Sequence, residues 1–304
     1  MAIHSSSGSS MDLTLEAPVS IDPTFHYKVH FHPTPINNLT AAMLALATAV
    51  SLAQTDVQAS LSDQTFRLPD PKFRDVQIIL RSPSQAIEGK VVLWGIFSLL
   101  SELVLNRPSF TKSAIELLLG EETKGLIVIE PATASDYTLE RRGTEPTSNV
   151  TFWPPNLSTL PYPEKSTTLP SILHSNDHLK VATHLLSDSH WIGQGRIFVG
   201  LINAIIGLSE LNPFQASVII RFRNRPANMG VEVSPPGGGP RRTRPFNTRA
   251  DSISTLSRIP GWMLQTGHWM SVGAEAYVDT TWVSSWVIAD HDLQVKAQGA
   301  ESVL

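Results

Sequence analysis

Phe25, Tyr27, Val29 and Phe31 alternate with His26, Lys28, His30 and His32. That period of two predicts a strand with one apolar and one polar face. A similar stretch returns as His178-Leu179-Lys180-Val181-Ala182-Thr183-His184. His26 matches His178, Lys28 matches Lys180, Val29 matches Val181 and His32 matches His184, each 152 residues apart in a chain of 304. The spacing points to two related halves.

The pattern continues in the same order through both halves. In the first, Pro33 and Pro35 end the strand, because proline lacks a backbone donor and restricts the residue before it. Asn38 is expected to cap a helix over 39–54, apolar nearly all round and therefore buried. Strands are predicted over 57–66 and 76–80, a second helix over 87–105, and a hairpin of 113–119 with 126–129. In the second half, strands are predicted over 178–186, 215–223 and 229–234, and helices over 195–211 and 253–266. Pro260 is expected to kink the last helix or delay its start. A hairpin of 270–279 with 281–289 closes the half. Gln58-Ala59-Ser60 returns as Gln215-Ala216-Ser217, Ser82-Pro83 as Ser234-Pro235, and Trp94 as Trp262.

Each half therefore reads β-α-β-β-α-β-β, a ferredoxin-like βαββαβ order with one added strand. The expected fold class is α+β: two tandem ferredoxin-like-type repeats, with sheets packed or joined about a pseudo-twofold axis and helices on the outer faces. The expected division is a disordered tail over 1–22, repeat one over 23–130, a Pro/Ser/Thr-rich linker or strap over 131–176, repeat two over 177–290, and a tail over 291–304.

Composition narrows the chemistry. Hydrophobic residues make up 41% and charged residues 16%, which supports a core and argues against general disorder. A net charge of −4 does not suit nucleic acid or an anionic membrane. The absence of cysteine rules out disulfides, thiolate nucleophiles and cysteine metal sites. Residues 1–10 are polar and lack the apolar core of a leader, and the apolar run over 41–53 is too short to span a bilayer. A soluble cytoplasmic protein is expected, with a homo-oligomer possible.

Three groups are candidates for chemistry. His30 and His32 share a strand face, extended by His26 and Lys28, which suits a metal or a general base, although no nearby carboxylate orients the rings. The loop over 235–249 combines three glycines with Arg241, Arg242, Arg244 and Arg249, suited to anions or to docking; it is not a P-loop. Trp191, Trp262, Trp269, Trp282 and Trp286 crowd the second half with Phe222, and Trp282 and Trp286, four apart on one strand, are expected to share a face. His268 and Glu275 are the polar residues nearest them in sequence. No nucleophile elbow, dinucleotide fingerprint or His-Glu-x-x-His is present.

The leading expectation is an aromatic-lined pocket for an apolar small molecule, in a cofactor-independent cyclase or isomerase of small-molecule metabolism. Trp262, Trp269, Trp282, Trp286, Phe222, Arg242 and Arg244 would bind it, with His268, His30 and His32 as catalytic candidates and no resident metal or cofactor. The alternatives are a non-enzymatic interaction module using the Arg/Gly/Pro loop and a metal-dependent enzyme using the His26–His32 face.

Overall fold

A computed structural model describes residues 14–16, 21–83, 86–132, 166–168, 178–187, 189–211, 219–234 and 248–290. The fold is α+β, with four α-helices and two six-stranded sheets among these residues. The first half contributes β2 (Phe25–Pro35), α1 (Asn38–Gln54), β4 (Gln64–Arg67), β5 (Val76–Arg81), α2 (Gly89–Leu105), β7 (Thr111–Leu119) and β8 (Glu122–Pro131). Two short strands, β3 (Ser60–Leu61) and β6 (Ile87–Glu88), pair beside them. The second half contributes β10 (Leu179–Leu185), α3 (Gln194–Glu210), β11 (Ile219–Asn224), β12 (Met229–Ser234), α4 (Arg249–Thr266), β13 (Val272–Val278) and β14 (Thr281–Asp290).

The strand order is the same in both halves. The first sheet runs β2-β7-β8-β5-β4 and the second β10-β13-β14-β12-β11, each with antiparallel neighbours. This differs from the ferredoxin-like order, in which the first strand lies in the middle of the sheet. Here the added last strand takes that central place and the first strand moves to the edge. The reason is local. β7–β8 and β13–β14 are hairpins with two-residue turns at Gly120 and at Asp279, whose closure costs little chain entropy.

Each sheet gains a sixth strand from outside its half. β1 (Thr14–Glu16) pairs parallel with β11, and β9 (Ser166–Thr168) pairs parallel with β4. Each precedes one half and completes the sheet of the other. The halves are interlocked through these exchanged strands, which cover edges that would otherwise expose unpaired backbone.

The helices lie between the sheets, not on the outer faces as expected. α1 packs on α2, α3 and α4 as well as on β5, and α3 packs on β11 and β12. The alanine-rich sequence of α1 explains this: thirteen of its residues are buried, from Thr40 to Ala53, and small side chains allow close contact on every side. Glycines allow the same approach on α3. A Cβ at Gly195 would lie 2.8 Å from Val104 of α2, and one at Gly207 would collide with the Phe222 ring. One continuous apolar core therefore joins the halves, from Leu44 and Leu93 to Ile202 and Ile288.

The helix ends follow from capping. Asn37, not Asn38, caps α1: its Oδ1 accepts from the N–H groups of Leu39 and Thr40 at 3.0 and 3.1 Å. Asn38 instead accepts the N–H of Phe110 at 3.1 Å. Thr248 and Asp251 form a reciprocal capping box that starts α4 at Arg249, so Pro260 lies inside the helix and does not delay it.

Candidate functional site

Hydrogen bonds fix which residues of the two halves correspond. Gly120 N–H donates to the Thr24 carbonyl at 2.9 Å, and Asp279 N–H donates to the His178 carbonyl at 2.7 Å. Both close the same corner, with φ of 60° at Gly120 and 55° at Asp279. Phe25 opposite Leu119 then corresponds to Leu179 opposite Val278, and His30 opposite Ala114 to His184 opposite Gly273. The offset is 154 (184 − 30), so the echo read at 152 is displaced by two residues. Along the closing hairpins the offset is 159 throughout, from Phe110 and Trp269 to Pro131 and Asp290 (269 − 110 and 290 − 131). Both carry a bulge at the same place, between Leu117 and Leu118 and between Ala276 and Tyr277.

On the sheet faces turned away from the helices, identical polar residues recur in both halves: Arg67 and Arg223 near one edge, and a histidine and a glutamate on the strands beside the other. His30 corresponds to His184, and Glu116 to Glu275. Each histidine faces a small residue, Ala114 or Gly273, and each glutamate lies two residues further along that neighbouring strand. The signal was present in the sequence as a lone glutamate inside two apolar strands.

The surroundings of the pair have diverged. In the first half, Glu116 is 6% exposed, accepts a hydrogen bond from the Thr123 hydroxyl at 3.1 Å, and has Lys28 directly across the strand pair. His30 Nε2 is buried and has no hydrogen-bond partner among the described residues. In the second half, Glu275 is half-buried and faces Ala182. Its carboxylate accepts from the Tyr277 hydroxyl instead. This bond is the main reason the Tyr277 phenol holds its proton above the usual range, with desolvation and the carboxylate charge adding to it. Trp282 stands where the first half has Thr123, directly across from Tyr277. Its Nε1 is used internally, donating to the Ser284 carbonyl at 3.1 Å.

The bulge separates two tryptophans that were expected to share a face. Ala276 pairs with Ser284 but Tyr277 pairs with Trp282, so Val283 is the extra residue. Trp286 stays on the core side, 1% exposed, and donates to Ser284 Oγ at 2.8 Å. Trp282 turns to the outer face with Tyr277 and Glu275 and is half-buried.

The other predicted residues scatter. Phe222 and Trp269 belong to the core, at 1% and 4% exposure, and Trp269 packs on Phe198 with ring centres 5.8 Å apart. Trp262 is half-buried, and its ring centre lies 6.5 Å from that of exposed His268. His30 and His32 lie on β2 of the first half, and His32 Nδ1 accepts the Thr34 N–H at 3.3 Å. The catalytic candidates are therefore split between the two halves. Arg242, Arg244, the rest of the Gly/Pro/Arg loop up to residue 247 and the Gln215-Ala216-Ser217 echo lie outside the described residues, whereas Arg249 opens α4 and donates to the Ser209 carbonyl at 3.2 Å.

Trp191, the remaining tryptophan of the second-half set, lies apart from the others. Ile36 N–H donates to the Phe110 carbonyl at 3.1 Å, and Ile192 N–H donates to the Trp269 carbonyl at 3.0 Å, so these links correspond. Just beside them the first half pairs Pro35 with Thr111, and the second pairs Trp191 with Met270. Trp191 is 66% exposed. The fold does not require tryptophan there, since proline serves in the twin position.

Among the described residues no helix is long and apolar enough to cross a membrane, and no group of three or more His, Asp or Glu is placed to hold a metal ion. No family model matches the chain, and no curated protein matches it. A solved structure, the tandem DUF26 ectodomain of the Arabidopsis thaliana cysteine-rich receptor-like protein PDLP8, aligns at 10% identity and a TM-score of 0.23 over 86% of this chain and 96% of that one.

Proposed function

We propose that this chain is a non-enzymatic binding module whose contact surface is the outer face of the second sheet. One observation carries the reading. The same face is closed in the first half and open in the second, where the aromatic residues Tyr277 and Trp282 are turned outward. Ile79, Ala114, Leu126 and Val128 are at 0% exposure on the first sheet. Of their counterparts, Glu232, Ser285 and Val287 remain partly exposed, and Gly273 is buried beneath His184. Half-exposed tryptophan and tyrosine are the side chains that most often anchor partners, because they bury large area with little loss of rotamer freedom.

The test is selection of peptides from a displayed library by the full chain, compared with Trp282→Ala and Trp191→Ala. Peptides that bind the parent and lose affinity only with Trp282→Ala support the reading. Peptides that ignore Trp282→Ala and depend on Trp191 place the surface elsewhere.

A second reading keeps an apolar small molecule as the ligand, with cyclisation or isomerisation as its chemistry. The juxtaposition of Trp262 and His268 favours it. Binding of an environment-sensitive apolar dye that is lost with Trp262→Ala, and retained with Trp282→Ala, would favour this second reading over the first.

A further inference from the structure

We propose that the open face recognises a cationic side chain, a lysine or arginine on an extended partner segment that adds to the edge of β10 and reaches over Ala182 to Glu275. This rests on the binding-module reading and names its ligand.

Across from Glu116 the first half supplies its own cation, Lys28. Opposite charges directly across a strand pair are favourable. The second half keeps the carboxylate but places Ala182 across from it. Glu275 forms no ion pair among the described residues, and its hydrogen bond comes from a neutral phenol. The cation present in one half is missing from the other, and the methyl of Ala182 leaves its space open.

The neighbours suit the same ligand. Tyr277 and Trp282 replace Leu118 and Thr123, which puts two aromatic rings beside the carboxylate. Ring faces attract ammonium and guanidinium groups, and the indole N–H is already engaged, so the face is what Trp282 offers. Lys180, across from Tyr277, is a competing cation and forms no ion pair among the described residues. His184 lies over Gly273 on the other side. Arg221 is bound to Glu232 at 2.6 Å and is neutralised.

A peptide is the source because the site lies one strand in from an open edge. β10 ends the sheet among the described residues. His178 O and Leu186 N bond inward to Asp279 and Ser271, so the alternation turns the backbone of Val181 and Thr183 outward. The Leu179 carbonyl on that edge accepts from Arg258. An added strand lies about 4.8 Å beyond β10, with alternate side chains on the outer face. A lysine opposite Ala182 is then long enough to reach Glu275.

The experiment uses the full chain and a set of nine-residue threonine/valine peptides that differ only at the central residue: lysine, arginine, norleucine or glutamate. Lysine and arginine peptides are expected to bind at least about tenfold tighter than norleucine. Glu275→Gln should abolish that preference. Ala182→Lys, which restores the arrangement of the first half, should abolish it too, and Lys180→Ala should strengthen it. Equal binding of lysine and norleucine peptides to the parent overturns the cation inference but leaves the face as a docking surface. Absence of binding by every peptide overturns strand addition at β10. Competition by free butylamine at the concentration of the lysine peptide overturns the peptide source. Circular dichroism of each variant shows that the fold is intact.

Discussion

The two sheets share a topology, a hairpin and a bulge, yet treat their outer faces differently. The first presents Ile79, Ala114, Leu126 and Val128 on that side, all at 0% exposure. Beside them runs a polar row in which Lys112 pairs with Glu130 at 2.6 Å, Gln77 donates to Glu130 at 3.2 Å, and Arg67 donates to Gln77 at 2.8 and 3.1 Å. The second sheet presents Glu232, Gly273, Ser285 and Val287 at the corresponding places. A sheet with large apolar side chains on both faces is stable only when both are covered, whereas one apolar face suffices when the other is polar and small. The backbone does not decide which. A few exchanges, Ile79 for Glu232 and Leu126 for Ser285, separate a closed face from an open one.

Substitutions at twin or neighbouring positions can break that comparison. The largest effect is expected from Trp286→Ala, which empties a fully buried site and should cost about 3–5 kcal/mol in urea denaturation. Trp282→Ala, on the open face, should cost less than about 1 kcal/mol. Equal losses would place both rings in the core and refute the role of the bulge. Next come the exchanges of the outer faces. Leu126→Ser should destabilise by about 2–4 kcal/mol, and Ser285→Leu should stay within about 1 kcal/mol. Similar costs in the two halves would mean that the second face is closed as well. A smaller effect is expected at the helix starts. Asn37→Ala removes the cap of α1 and should cost about 1 kcal/mol, whereas α3 starts at Gly193 with no side-chain cap to lose.

The smallest effect is a pH dependence. Burial, with Glu102 adding, keeps Tyr27 protonated above the usual range, and the Glu275 hydrogen bond does the same for Tyr277. The unfolded chain releases these protons first, near the ordinary value of 10.0. The native state binds more protons from there up to its own raised values, so stability is full below 10.0 and falls across that window. Absorbance titration of the phenolates should show Glu275→Gln lowering the midpoint of Tyr277 alone. An unchanged titration curve would show that the bond to Glu275 does not govern it.

The strands, helices and repeat were legible because they rest on local periodicity. Alternation at Phe25–Phe31 and the unbroken apolar run of α1 are properties of the residues themselves. The repeat was read in the wrong register, however. On a strand a slip of two preserves which side chains face the core, so His26 could be matched to His178 without violating any pattern. Better markers were present. Ile36 and Ile192 share an offset of 156 with Phe66-Arg67 and Phe222-Arg223 (192 − 36, 222 − 66), and in the structure both phenylalanines face the core on corresponding strands. The Trp94 and Trp262 echo does not mark equivalent places, since Trp94 lies near the start of α2 and Trp262 near the end of α4.

Two α+β halves, the order of their elements and the burial of α1 follow from local pattern, because propensity and period act over a few residues at a time. Long-range packing places the helices between the sheets, takes β1 and β9 across to the opposite halves, and parts Trp282 from Trp286 at a bulge. Strand register sets a lysine opposite Glu116 and an alanine opposite Glu275. These depend on pairing between residues far apart in the chain, and no local pattern records which of two chemically similar faces will be covered.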